Sequence, residues 1–303
     1  MMFDPKKLSG IFAPIVTPFD EKEAICYEAI RDNIQFYNTT QLKGYMPLGS
    51  NGEFQGLDDD EAARILKVVC RYKSGEKVVV GGCGRESAYK TIAFIRAIAD
   101  EGLDLAFILP PHYFAAQMTD EHFYGYYSRV ADASPIPIVI YNAPKFASGI
   151  SLSAQLIRRL ARHENIVAIK NSSPVPDREY IDAAKGRSFS VIAGNISKLY
   201  PGLVEGVIGG VISTASYLPE SCCRLFDLFR QGRRQEAEQL YQFLSQLSAE
   251  GIGPMGVPGV KLGMELRGLQ GGHVRNPLMD ATPAQRAAII HLFQQHQIAP
   301  VQR

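Results

Sequence analysis

The chain has 303 residues, 46% of them hydrophobic, with 32 Lys and Arg against 31 Asp and Glu for a formal net charge of +1. That balance leaves no basic footprint for nucleic acid, and no run of like charge suggests a membrane-surface patch or tail. The length suits one α/β barrel without requiring a second domain. The apolar runs are too short to cross a bilayer, and MMFDPKKLSG at the start lacks the apolar core of a signal peptide. Five scattered cysteines (Cys26, Cys70, Cys83, Cys222 and Cys223) without CxxC spacing read as reduced thiols of a cytoplasmic protein rather than a zinc site.

Eight short apolar, β-branched runs follow one another. The first is GIFAPIVTPF from Gly10 and the second GYMPLGS from Gly44. Asp58 and Glu61 then form a capping-box pattern, with Ile65, Leu66 and Val69 as an apolar helical stripe. KVVVGGCG starts at Lys77, and Ala88, Ile92, Ile95 and Ala99 repeat behind it at helical spacing. LDLAFILPP from Leu103 and PIPIVIYNAP from Pro135 are the fourth and fifth runs. Ser153 caps a predicted helix carrying Leu156, Ile157 and Leu160. NIVAIKNSS from Asn165, FSVIAGN from Phe189 and GVIGGVISTAS from Gly206 complete the eight.

Near-continuous apolar runs suit parallel strands buried on both faces. Alternation with helices gives a parallel sheet, and eight strands favour closure into a single (β/α)8 TIM barrel. An open doubly wound sheet is the alternative; the glycine fingerprint of its dinucleotide-binding version is absent from the first strand–helix turn. After Tyr217 the pattern changes: Pro219 to about Leu247 reads as amphipathic helix, a Gly/Pro-rich stretch spans Gly251 to Gly259, and helical segments follow. Residues 1–218 are therefore expected to form the barrel and 219–303 a C-terminal helical extension packed on it, as one structural unit.

A barrel of this kind carries its site at the C-terminal ends of the strands. Lys170 closes an apolar strand behind Ile166–Ile169. Partial desolvation there lowers an ammonium's pKa and frees the amine to attack a carbonyl, although a strand-end lysine also serves by pointing outward or pairing with a carboxylate. Tyr141 ends the neighbouring run, where a phenol relays protons if it is in reach and otherwise fills the core. The Gly49–Glu53 turn offers backbone N–H groups near a helix start, an arrangement that suits a carboxylate, and is also an ordinary glycine turn.

Together these segments resemble the dihydrodipicolinate synthase / N-acetylneuraminate lyase family of class I aldolases, over roughly Gly10 to Leu278. GIFAPIVTPF is similar to the family's opening strand, PLGSNGE to its substrate-carboxylate loop, YNAP to the segment with the catalytic tyrosine and IVAIKNSS to that with the Schiff-base lysine. GVIGGVIS and GGHVRNPL also match. The resemblance implies that Lys170 forms an imine with pyruvate, that Tyr141 relays protons, and that Ser50 and Asn51 beside Gly49 hold the carboxylate, with Ser50 joining the relay. It implies that Tyr113 is lent to a neighbouring subunit and that Ile212 turns its carbonyl to the site. Gly194 and Asn195 stand where sialic acid lyases carry sugar-binding residues. No metal or organic cofactor is implied, since the protonated imine is the electron sink. The implied partners are a small 2-oxo acid, an aldehyde and further copies of the chain, as a tetramer or dimer.

Two departures narrow the choice. Dihydrodipicolinate synthases usually carry an arginine shortly after the YN-P segment, where this chain has Phe146. Lys145 beside it should point elsewhere on an extended segment. Sialic acid lyases usually place an acidic residue where Asn195 stands. The Gly49–Glu53 loop and the segment Val257–Lys261 look closer to 4-hydroxy-2-oxoglutarate aldolases, which release pyruvate and glyoxylate; sugar-acid aldolases and dehydratases remain open. Outside the family, Gly194 and Gly209–Gly210 are compatible with a phosphosugar-binding barrel, and a non-catalytic 2-oxo acid sensor is the third class. His112 is the one histidine at a strand end, without neighbours that form a ligand set.

Overall fold

The computed structural model describes residues 3–301. Its strands are β1 (Gly10–Pro14), β2 (Gly44–Met46), β3 (Val78–Gly82), β4 (Leu105–Ile108), β5 (Ile138–Asn142), β6 (Ile166–Asn171), β7 (Ser190–Ala193) and β8 (Gly209–Val211). They form a closed barrel in sequence order, so the open doubly wound alternative falls away. Helices α1 (Tyr27–Asn38), α2 (Asp59–Tyr72), α3 (Ala88–Ile98), α4 (Asp120–Ala133), α5 (Ala154–Leu160), α6 (Asp177–Ala183) and α7 (Ile196–Glu205) fill the successive gaps. After β8 come α8 (Pro219–Arg230), α9 (Arg234–Leu247), α10 (Val257–Leu266) and α11 (Pro283–Gln295).

The chain divides into two compact units. One holds the described residues up to Gly10 with Val78–Val211, and so contains β3 to β8. The other holds Ile11–Lys77 with the described residues from Ile212 onward, and so contains most of β1, β2 and helices α8 to α11. In the first unit every residue of β3, β4, β5 and β6 is buried. These strands are dominated by Val, Ile and Leu, as strands covered on both faces require; each such side chain contributes about 1.5–3 kcal/mol when fully buried. The β5–β6 register shifts between Ile138 and Val139, and beyond that irregularity Tyr141 lies opposite Lys170 and Asn142 opposite Asn171. The core of the second unit also contains aromatic residues. Tyr37 and Tyr45 are fully buried, and the Tyr37 hydroxyl donates to the Ser216 carbonyl at 2.5 Å.

Local chemistry explains most helix starts. Asp58 Oδ1 accepts from Glu61 N at 2.8 Å while Glu61 Oε2 accepts from Asp58 N at 3.2 Å, the expected capping box of α2. Ser153 Oγ accepts from Leu156 N and opens α5. Other expectations shift. The buried face of α3 is Thr91, Phe94, Ile95 and Ile98, with Ile92 half-buried. Ala99 already belongs to a 3-10 turn that ends at Gly102 in the left-handed region, so the helical repeat stops short of it. The helix expected from Pro219 to Leu247 is two helices, broken where Gly232 takes φ 77°. The Gly251–Gly259 stretch is largely helical: a π turn, a 3-10 turn, then α10, entered through Gly256 at φ 66° and ψ −134°, a conformation open to glycine.

Candidate active site

In the first unit, β6 delivers Lys170 and β5 delivers Tyr141 side by side, because opposite residues of paired strands share a face. Lys170 is 6% exposed and Tyr141 is 4% exposed. The Lys170 ammonium lies 4.2 Å from the centre of the Tyr141 ring and 5.3 Å from that of Phe107 on β4. The two rings stack at 4.5 Å. Among the described residues no carboxylate pairs with Lys170. Burial pushes its pKa below the ordinary lysine range, and Tyr141 pulls part of the way back. An amine buried without a counter-ion is poised to lose its proton and act as a nucleophile.

The next residues on each strand face the other way. Asn142 Nδ2 donates to the Tyr180 hydroxyl (2.7 Å) and its Oδ1 accepts from Leu152 N (3.1 Å). Asn171 Nδ2 donates to Val175 O and Asp177 Oδ1, while its Oδ1 accepts from the Ser173 N–H and hydroxyl. Both amides are buried and tie down the loops that follow Tyr141 and Lys170.

The second unit holds Gly49, Ser50, Asn51 and Ile212. Ser50, Asn51 and Gly52 form a 3-10 turn behind Gly49. A second 3-10 turn stands between it and the start of α2. Its backbone bonds are donated by Gly52 to Gly49 O and by Glu53 to Ser50 O. Asn51 Nδ2 donates to Ser213 Oγ at 3.1 Å, next to Ile212, whose carbonyl accepts from Ala215 N. Leu48 (φ 59°) and Glu53 (φ 53°) bracket the turn, both in the left-handed region. A bulky residue there is strained, and such strain gathers at functional sites.

Glu53 is buried, and its Oε1 lies 2.5 Å from Lys261 Nζ, which is buried too. Lys261 also donates to Thr17 O (2.7 Å) and His273 O (2.5 Å). The Thr17 hydroxyl in turn donates to Gly52 O at 2.7 Å, and Glu53 Oε2 accepts from Arg275 N at 2.9 Å. Burial lowers the Lys261 pKa and Glu53 opposes that shift. The two buried lysines thus have opposite surroundings: Lys261 is tied to a carboxylate and two carbonyls, Lys170 lies over aromatic rings.

Several remaining positions have work of their own. A Cβ on Gly194 would lie 1.8 Å from Ser172 Oγ, and one on Gly209 would lie 2.2 Å from Gly10 O. Both glycines permit close backbone packing. Asn195 caps α7, its Oδ1 accepting from Lys198 N and from the Ser197 hydroxyl. His112 Nδ1 lies 3.0 Å from Glu86 Oε1 and 3.1 Å from Pro110 O, and no group of three His, Cys, Asp or Glu suited to a metal occurs among the described residues. Tyr113 (79% exposed) stands edge-on to Phe114 at 5.0 Å on the surface. Lys145 and Phe146 lie in a 3-10 turn rather than an extended segment, since Pro144 starts a tight turn.

Sequence reasoning missed Phe107, Thr17 and the Glu53–Lys261 pair as site residues. Alternation along β4 places Phe107 on the inward face, a visible signal. A lone lysine inside the apolar run VKLGM is a weaker one, and nothing local reveals its partner.

A sequence model of the Dihydrodipicolinate synthetase family matches residues 7–296. The chain is 32% identical over 291 residues to an uncharacterised DapA-like lyase of Halobacterium salinarum, covering 94% of this chain and 93% of the relative. It is 32% identical over 305 residues to L-threo-3-deoxy-hexylosonate aldolase of Hypocrea jecorina, covering 95% and 96%. A pyruvate-bound prophage protein of the dihydrodipicolinic acid synthase family from E. coli K12 superposes with a TM-score of 0.89 at 25% identity, covering 96% of this chain and 99% of that one.

Proposed function

We propose, from the premise that this chain belongs to the dihydrodipicolinate synthetase family and is a carbon–carbon lyase, that it forms a Schiff base through Lys170 with pyruvate or a pyruvate-releasing 2-oxo acid. The observation that carries the proposal is the buried Lys170 amine, over Tyr141 and without a carboxylate partner among the described residues. The neutral amine adds to C2 of the 2-oxo acid, and the resulting carbinolamine loses water to give a protonated imine. The imine withdraws the electron pair released when a C3 proton departs or when the C3–C4 bond of a larger substrate breaks. The enamine so formed adds to an aldehyde, or takes a proton at C3, and water then releases the product and restores Lys170. Tyr141 moves the protons of these steps.

The substrate carboxylate is assigned to Ser50 and Asn51 beside Gly49, and Ser50 joins the relay. Resemblance of PLGSNGE and the strained turn geometry support this. Ile212 presents its carbonyl to the site by the same resemblance. Tyr113 completes the relay of a neighbouring copy in a homo-oligomer, a role supported by its exposure beside Phe114. Gly194 and Asn195 contribute through packing and capping.

For the substrate we favour 4-hydroxy-2-oxoglutarate, giving pyruvate and glyoxylate. Phe146, exposed on its turn, supplies no cation for the second substrate of a dihydrodipicolinate synthase. A sugar-acid aldolase is the second reading, favoured by the Hypocrea jecorina relative. Incubation with pyruvate and borohydride, followed by intact mass and peptide mapping, tests the class. A reduced pyruvyl adduct on Lys170, lost in Lys170→Ala, is expected; a folded wild-type chain that gains no mass refutes it. Pyruvate release from 4-hydroxy-2-oxoglutarate against a six-carbon 3-deoxy-2-oxo acid then separates the two substrate readings.

A further inference from the structure

We infer that Lys261, through Glu53 and Thr17, is a positioning residue that sets the Ser50–Gly52 turn in the shape that receives the substrate carboxylate. This rests on the proposed role of that turn. A buried ion pair is a poor route to stability, because desolvating two charges offsets most of their attraction; such a pair gains its value by fixing a geometry. Here a geometry needs fixing. The turn is entered through Leu48 and left through Glu53, both in the left-handed region, and strained backbone persists only where its surroundings over-determine it.

Lys261 supplies that constraint with three contacts, an ion pair and two hydrogen bonds. One reaches the Glu53 carboxylate, which fixes the residue leaving the turn. A second reaches the Thr17 carbonyl, while the Thr17 hydroxyl holds the carbonyl of Gly52. The third reaches His273 O, and Arg275 N, two residues further on, donates to the other Glu53 oxygen. The ammonium is thereby anchored on both sides of the turn. A Cβ at Gly52 would approach Ile15 O to 3.1 Å, so the turn has little room to settle elsewhere.

Carboxylate recognition and imine formation then fall to different residues, and two ligands tell them apart. Borohydride trapping is titrated with pyruvate and with hydroxyacetone, a carbonyl compound without a carboxylate. Folding of each variant is checked by thermal melting. Lys261→Met is expected to raise the half-saturating pyruvate concentration about 10- to 100-fold, the range for a misplacement of about 1 Å, and to leave the hydroxyacetone titration unchanged. Thr17→Val, which keeps volume but drops the hydroxyl, shifts pyruvate in the same sense, and Thr17→Ser restores it. If Lys261→Met does not fold, the Thr17 pair decides. Parallel loss of both ligands, or an unchanged pyruvate titration in folded variants, overturns the positioning role alone. A wild-type chain trapped by neither ligand overturns the Schiff-base reading, and this inference with it.

Discussion

Replacing Lys170 by methionine should abolish adduct formation and stabilise the protein, and the stabilisation should depend on pH. An ammonium taken out of water costs several kcal/mol even after the surroundings relax. Its position 4.2 Å from the Tyr141 ring centre returns about 2 kcal/mol as a desolvated cation–π contact. Methionine fills similar volume and keeps a sulfur–aromatic contact of about 0.3–1.5 kcal/mol. A net gain of roughly 1–2 kcal/mol follows, the usual scale for relieving a strained functional residue. Burial depresses the folded-state pKa below the unfolded value of about 10.4. The unfolded chain therefore binds more protons, and stability rises with pH across that range. The burden of Lys170 is full below its folded pKa and fades as pH climbs to the unfolded one, so the advantage of Lys170→Met fades with it. Urea unfolding at about pH 6, 8 and 10 measures this, with the midpoint raised by roughly 0.5 M at the acid end. A gap that stays constant with pH, or a variant less stable than wild type throughout, refutes the claim that the buried charge is the cost.

Three further outcomes are expected. Gly194→Ala places a Cβ 1.8 Å from Ser172 Oγ and 2.8 Å from Asn171 O, so β6 and β7 must separate; a loss of about 1–3 kcal/mol in urea unfolding is expected, and a neutral result would mean that Ser172 moves freely. Tyr141→Phe keeps the stacked ring but removes the hydroxyl; deuterium exchange into the pyruvate methyl group should slow about 10²- to 10⁴-fold, and an unchanged rate would place the relay elsewhere. Asp280 raises the pKa of His273, so their pair stabilises fully below the unfolded histidine value of about 6.5 and is lost as pH rises through the folded value. Because the histidine is about half exposed, Asp280→Asn should cost under about 1 kcal/mol at pH ~5 and nothing at pH ~8, as read by thermal melts.

The barrel was legible in the sequence because strands covered on both faces leave runs of aliphatic residues that few other structures produce. Lys170 was legible for the same reason, as a charge closing such a run. The helix break at Gly232 had a visible signal too, a glycine inside the polar stretch from Arg230 to Glu236, which the reading of one continuous amphipathic helix passed over. The job of Asn195 was read by comparison with sugar-binding relatives, whereas its position ahead of α7 already suited a cap. The Glu53–Lys261 pair escaped because a buried ion pair joins residues far apart in sequence, and only folding brings the charges together.

The strands divide labour between adjacent residues. Tyr141 and Lys170 lie side by side on one face, while Asn142 and Asn171 clasp the loops that follow. The Asn142 amide grips Leu152 and so fastens the far end of loop 143–151 to the strand that launches it. That loop behaves as a cassette: its exposed tip around Phe146 is open to replacement while both ends stay clamped. Grafting a tip with a different polar residue at that position should leave Tyr141 and Lys170 in register, so the loop can be exchanged without rebuilding the barrel.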